Sequence, residues 1–155
     1  MLAGISETLR QYLLGAIPGM TVEIGAATDL QATSPGSSLV LLLYGIDQVN
    51  DVRAVRPRSD ARPGMPVALK LQYLITSLAP DALESQRTLS RVLETFDNHP
   101  VFTAGELDAA ISATIDRLAV QLRSMPLEGL NDLWSALGAA MRLSLYYEVN
   151  AQPQP

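Results

Sequence analysis

The segment Leu39-Val40-Leu41-Leu42-Leu43-Tyr44-Gly45-Ile46 has no polar face. A strand whose two alternating faces are both apolar needs cover on both sides, so this run predicts a central strand buried above and below. The rest of the chain has to supply that cover. Its 155 residues suit one domain, with about two-thirds of the unfolded surface removed from water. Hydrophobic residues make up 48% and aromatics 5%, so the core is expected to be mostly Leu, Val, Ile and Ala.

Residues 2–16 place Leu2, Ile5, Leu9, Tyr12, Leu13 and Ala16 on one helical face, with Glu7, Arg10 and Gln11 opposite. Pro18-Gly19 ends that helix, Thr21 to Ile24 alternates as a short strand, and Thr33 to Ser38 reads as a loop. Beyond the apolar run, Asp47 to Pro66 is a long irregular stretch with Pro57, Pro63, Gly64 and Pro66. Val67, Leu69, Leu71 and Tyr73 then alternate against Lys70 and Gln72, predicting a strand solvated on one side and antiparallel to the previous one. Pro80-Asp81 opens a helix whose Asp81 and Glu84 resemble a capping box and whose buried stripe is Leu89, Val92, Leu93 and Phe96. Asn98-His99-Pro100 closes it.

Glu106 to Ile111 suggests a short helix, and Leu118, Val120 and Leu122 alternate as a strand. A helix over 127–137 turns Leu130, Leu133, Trp134 and Leu137 to one side. Met141, Leu143, Leu145, Tyr147 and Val149 form the apolar face of a last strand, opposite Arg142, Ser144, Tyr146 and Glu148. Residues 1–150 therefore make a single domain, and 151–155 a Pro/Gln tail that continues neither a helix nor a central strand. The order of elements predicts an α+β fold: a mainly antiparallel mixed sheet with helices packed on it.

Chemistry-bearing patterns are sparse. With no cysteine and His99 as the sole histidine, neither a metal shell nor a nucleophile–base pair can be assembled from those residue types. His99 reads instead as a helix-end residue facing the negative pole of the dipole. Glu94 and Asp97 lie three apart on a helix, and Asp29 lies in a loop, but no pocket signal accompanies them, so all three read as solvated carboxylates. No phosphate-binding glycine pattern and no nucleophile elbow occurs. No catalytic residue, cofactor or metal is expected. Trp134, Tyr44, Tyr73 and Tyr147 read as core residues, the tyrosine hydroxyls reaching a partner.

The sharpest charge feature is Arg53, Arg56, Arg58 and Arg62, which with Asp51 and Asp60 give net +2 in a chain of net −5. It reads either as a solvated loop or as an anion-facing contact loop. Without interleaved aromatics for base stacking, an acidic protein surface fits better than nucleic acid. Glu7 and Arg10 interrupt the first apolar residues with no basic region ahead of them, so no signal peptide is expected, and no run is long enough to span a membrane.

Three stretches together carry a resemblance: Leu39 to Ile46 leading to Asn50; Leu69 to Thr76 followed by the Leu89-to-Pro100 helix and Val101; and Asp132 to Leu137 running into Arg142 to Val149. In combination they resemble the tail-terminator, or cap, proteins of extracellular phage-tail-like contractile injection systems. That resemblance implies a structural protein with a terminator fold, a sheet with flanking helices. It would form a homohexameric ring on the distal end of the inner tube, stop tube polymerisation and bind the last sheath ring. The implied partners are other copies of itself, the inner-tube protein and the sheath protein, with no nucleic acid and no membrane. Assembly would be cytoplasmic, within a particle that is released or stays inside the cell. Members of the family can carry a further C-terminal region, whose functions the resemblance does not transfer to these residues. On this reading Arg53, Arg56, Arg58 and Arg62 contact tube or sheath. The alternatives are another assembly component, such as a baseplate or head–tail joining protein, or a small-molecule-binding or hydrolytic domain with a dispersed pocket.

Overall fold

A computed structural model describes residues 1–31, 38–49 and 68–154. Helix α1 (Leu2–Ala16) leads to strand β1 (Thr21–Ile24), a 3₁₀ turn (Ala27–Gln31) and β2 (Ser38–Gln48). Strand β3 (Leu69–Ser77), helix α2 (Ala82–Asn98), β4 (Val101–Thr103), a 3₁₀ turn (Ala104–Glu106), β5 (Ile115–Leu122), α3 (Leu127–Leu137) and β6 (Ser144–Pro153) follow. The strands form one mixed sheet in the order β1-β2-β3-β6-β5-β4. Among the described residues only β1 and β2 pair in parallel, and every other pair is antiparallel. The expected α+β architecture is thus present.

One face of the sheet carries Leu39, Leu41, Leu71, Tyr73, Ile75, Leu118, Tyr147 and Val149, and the apolar stripes of α1 and α2 close over it. In α1 the stripe is Ile5, Leu9 and Leu13; in α2 it is Leu89, Val92 and Phe96, all buried. Asp81 caps α2 by accepting the Glu84 N–H at 3.4 Å. Among the described residues the opposite face is covered only in part. There α3 sets Trp134 against Val40, Leu42, Leu74 and Tyr146, with Leu130, Leu133 and Leu137 around it. Gly138 ends α3 in the left-handed region at φ 68°, where glycine carries no Cβ penalty.

Several boundaries differ from the sequence reading. Strand β2 is second in the sheet rather than central, though it is buried on both faces from Leu39 to Leu42. It also runs on through Asp47 and Gln48, which the sequence reading placed in the loop, because the β3 partners Lys70 and Leu69 continue the ladder. Strand β3 likewise extends past Tyr73 to Ser77, and Leu74 and Thr76 are buried on the face expected to be solvated. No helix forms at 106–111. A 3₁₀ turn ends at Glu106, and turns then bring Ile111 under α1. Met141 and Leu143 precede β6 and are exposed. The expected tail is also corrected. Strand β6 continues to Pro153, with Ala151 buried between Leu69 and Leu118 and the proline at the strand's terminal position, where it is tolerated. Residues 32–37 and 50–67, including most of the Thr33–Ser38 loop and Val67, lie outside the described residues.

Both outer edges of the sheet are partly occupied by side chains. Gly25 N–H donates to Leu41, so by alternation Val22 faces outward, and its carbonyl accepts from Arg10 Nε at 2.9 Å. On β4, Thr103 faces outward and its N–H donates to Glu106 Oε2 at 2.8 Å. That hydrogen bond, above all, holds the exposed Glu106 carboxyl below the usual carboxylate range. Charged groups of this kind blunt edges that otherwise template association.

Two substitutions in α1 test the packing of this helix against the 108–114 turns. A Cβ at Gly4 would collide with Ile111 Cγ2, whereas nothing lies within 4 Å of a Cβ at Gly15. Gly4→Ala is expected to lower stability by about 1–3 kcal/mol because overpacking outweighs the roughly 1 kcal/mol of gained helix propensity. Gly15→Ala, free of that clash, should instead raise it by about 0.5–1 kcal/mol. Urea unfolding midpoints of the two variants separate the effects, and a stabilised Gly4→Ala would contradict this packing.

A second pair tests the α3 contact. Trp134 Nε1 donates to the Tyr146 hydroxyl at 2.9 Å, and both side chains are buried. Trp134→Phe should cost about 2–4 kcal/mol, through lost volume and a stranded hydroxyl. Adding Tyr146→Phe should recover about 1 kcal/mol, since both partners of the bond are then gone.

Candidate partner-contact surface

The arginines expected to make contact, Arg53, Arg56, Arg58 and Arg62, lie outside the described residues. Their point of attachment is described. Val49 N–H donates to Ala68 carbonyl at 2.9 Å, so residues 49 and 68 meet at one end of the β2–β3 pair. That end lies beside the part of the second sheet face that α3 does not reach.

Here the outward residues of four adjacent strands change from apolar to polar. Along β2 the change runs from Val40 and Leu42 to Asp47; along β3, from Leu74 to Gln72 and Lys70; along β6, from Tyr146 to Glu148, Asn150 and Gln152. Strand β5 adds Gln121 and Arg117 in register. Glu148 organises the patch. Its Oε1 accepts from Arg123 Nη2 at 2.9 Å and from Asn150 Nδ2 at 3.4 Å, and lies 3.7 Å from Lys70 Nζ. The hydrogen bond from Arg123 holds the carboxyl below its usual range. Nearby, Gln72 Nε2 donates to Asp47 Oδ2 at 2.7 Å, and Arg117 Nη2 donates to Gln152 Oε1 at 2.6 Å. The Gln72 carboxamide lies so close over Gly45 that a Cβ there would collide with it, which accounts for the glycine at the β2 irregularity.

This patch was not legible as a unit. Single strands show alternation, but only the register reveals that four polar ends fall side by side. Its hydrogen-bonding groups pair with one another, mostly across strands.

The remaining candidates fall into structural roles. His99 forms the C-cap of α2 and its ring packs against Tyr12 and Phe102, at centroid distances of 5.0 and 4.9 Å. Its Nε2 lies 2.7 Å from Glu106 Oε1. Asp29 accepts the Ala26 N–H at 2.7 Å and so closes its own loop. Tyr73 is buried with its hydroxyl 2.7 Å from Ser6 Oγ, and burial pushes its pKa up to about 12. Trp134 and Tyr147 are buried as expected, while Tyr44 is half-buried against the α3 cluster. Tyr146, read from sequence as polar-facing, belongs to the core beneath α3. Among the described residues, no group of three or more His, Asp or Glu could hold a metal ion, and no helix is long and apolar enough to cross a membrane. Glu94 and Asp97 are exposed, as read from sequence, and rim an open groove of about 380 Å³ between α2 and β5, which the sequence did not signal.

Comparison with known proteins places the fold. Comparison with curated proteins gives no match. Among solved structures, the chain is similar to the sheath/tube terminator of the PVC extracellular contractile injection system in its extended state. The TM-score is 0.64 and the identity 18%, over 100% of this chain and 57% of that one. It is also similar to the tube-terminating cap of the anti-feeding prophage, with a TM-score of 0.52 and 20% identity over 99% of this chain and 54% of that one. The chain spans about half the length of these two proteins. The family model described as the Pvc16 N-terminal domain matches residues 2–153, and the chain belongs to that family.

Proposed function

We propose that this chain is the terminator module of a contractile injection system, a non-enzymatic cap that ends inner-tube growth and anchors the last sheath ring. The observation that carries this reading is the fold: over its whole length the chain follows the terminator and cap structures, and its family model spans residues 2–153. The partners are the tube and sheath proteins of an injection particle assembled in the cytoplasm, and other copies of this chain in a homohexameric ring. A closed ring needs a heterologous interface, in which two different patches meet around the axis. The 1–150 region acts as one unit with the β6 extension to Pro153.

The polar half of the second sheet face supplies a contact surface, and Arg53, Arg56, Arg58 and Arg62 belong to the sequence that joins β2 to β3. A positive segment on a chain of net −5 steers towards an acidic partner surface and fixes register there. In this reading the arginines meet tube or sheath.

Adding the purified protein to polymerising tube protein should cap tubes at lengths that shorten as the cap concentration rises. Tubes of unchanged length and without bound protein would refute the cap. Replacing all four arginines with serine should reduce occupancy on sheath–tube particles by about tenfold or more, with the largest loss at low salt, where the charges are least screened. Unchanged occupancy would remove those arginines from the contact.

A further inference from the structure

The groove between α2 and β5 combines three features that the terminator reading does not use. Its floor is apolar, made by Leu93, Phe96, Val120, Leu122 and Tyr147. Leu122 remains 50% exposed although it sits in a strand. The floor therefore offers apolar area that the fold itself does not cover.

The second feature is an open strand edge. Strand β4 pairs with β5 only from Arg117 to Ala119, and one further bond joins Val120 N–H to the Pro100 carbonyl at 2.8 Å. Arg123 N–H donates to Tyr146 carbonyl on the other side at 2.8 Å. By alternation the Leu122 N–H and carbonyl point away from β6, and among the described residues no strand lies opposite them. The outer edges at β1 and β4 have side chains on their outward groups, Arg10 and Glu106; this position has none assigned to it.

The third feature is charge. Glu94 and Asp97 stand on the α2 side of the groove, both exposed, and neither forms a salt bridge among the described residues. Burial, with the Asp97 charge beside it, pushes the Tyr147 hydroxyl up from its ordinary value, so the wall behind the carboxylates stays neutral.

We infer that this groove is a docking site for an extended segment of a partner protein in which an apolar side chain is flanked by arginine or lysine. An exposed strand edge selects extended main chain, the floor takes the apolar side chain, and Glu94 and Asp97 take the cations. A helix would leave the Leu122 backbone groups unpaired, and an acidic segment would face two like charges. The site stands apart from the terminator reading, since its occupancy depends on the groove alone.

The test uses the full chain and a labelled hexapeptide of alternating arginine and valine, with one of alternating glutamate and valine as control. Amide shifts on titration should be confined to residues 93–97 and 120–123 for the basic peptide and absent for the acidic one. Glu94→Gln with Asp97→Gln, both at exposed positions, should weaken binding about fivefold and flatten its salt dependence. Leu122→Ser should weaken it without changing the salt slope. Equal binding of both peptides, shifts on the polar sheet face, or no binding of the basic peptide at millimolar concentration would overturn the assignment. So would concentration-dependent shifts of the same amides without peptide, since a second copy would then be the occupant.

Discussion

The structure depends on where along each strand the second face of the sheet stops being apolar. Strands β2, β3 and β6 are buried on both sides at one end only, where Val40, Leu42, Leu74 and Tyr146 meet Trp134. Helix α3 spans Leu127–Leu137 and covers that end and no more. Burying a large aromatic side chain contributes roughly 2–3 kcal/mol, and the Trp134–Tyr146 hydrogen bond satisfies the polar atom that each ring brings inside. Among the described residues nothing covers the other end of the face, and there the strands carry Asp47, Lys70, Gln72, Glu148 and Asn150 in place of leucine.

This division separates stability from contact. The α1 and α2 side holds the larger apolar cluster, including Tyr73 with its hydroxyl on Ser6. The bare half of the other side costs little to leave in water, because its side chains pair with one another across strands. A protein that must present one defined face to a partner benefits from polar groups held by a sheet rather than a loop, since the strands fix their spacing. Arg10 and Glu106 limit unwanted pairing at the outer edges and leave Leu122 as the open position.

Much of this was legible in the sequence. Helices α1 and α3 matched their expected spans, because their apolar residues recur at helical spacing and Gly or Pro marks their ends. The Asp81 cap and the α2 stripe were equally local. What escaped depended on pairing across the chain. Strand β3 was read as ending at Tyr73 and solvated along one side, because the cover of Leu74 and Thr76, α3, lies some fifty residues away. Tyr146 looked polar-facing because its partner is Trp134, and the Pro153 end looked like a tail because its ladder partner Ile115 is distant in sequence. The groove at Glu94 and Asp97 left no motif, since its lining comes from three separate segments. The resemblance to tail terminators joined the pieces that periodicity could not, and the family model and shared fold support it.

Electron microscopy of sheath–tube particles from cells lacking this chain tests the central claim most directly. The account predicts tubes of excess and variable length, with sheath missing or detached at the end distal to the baseplate. Particles of normal, uniform length with sheath in place would contradict it.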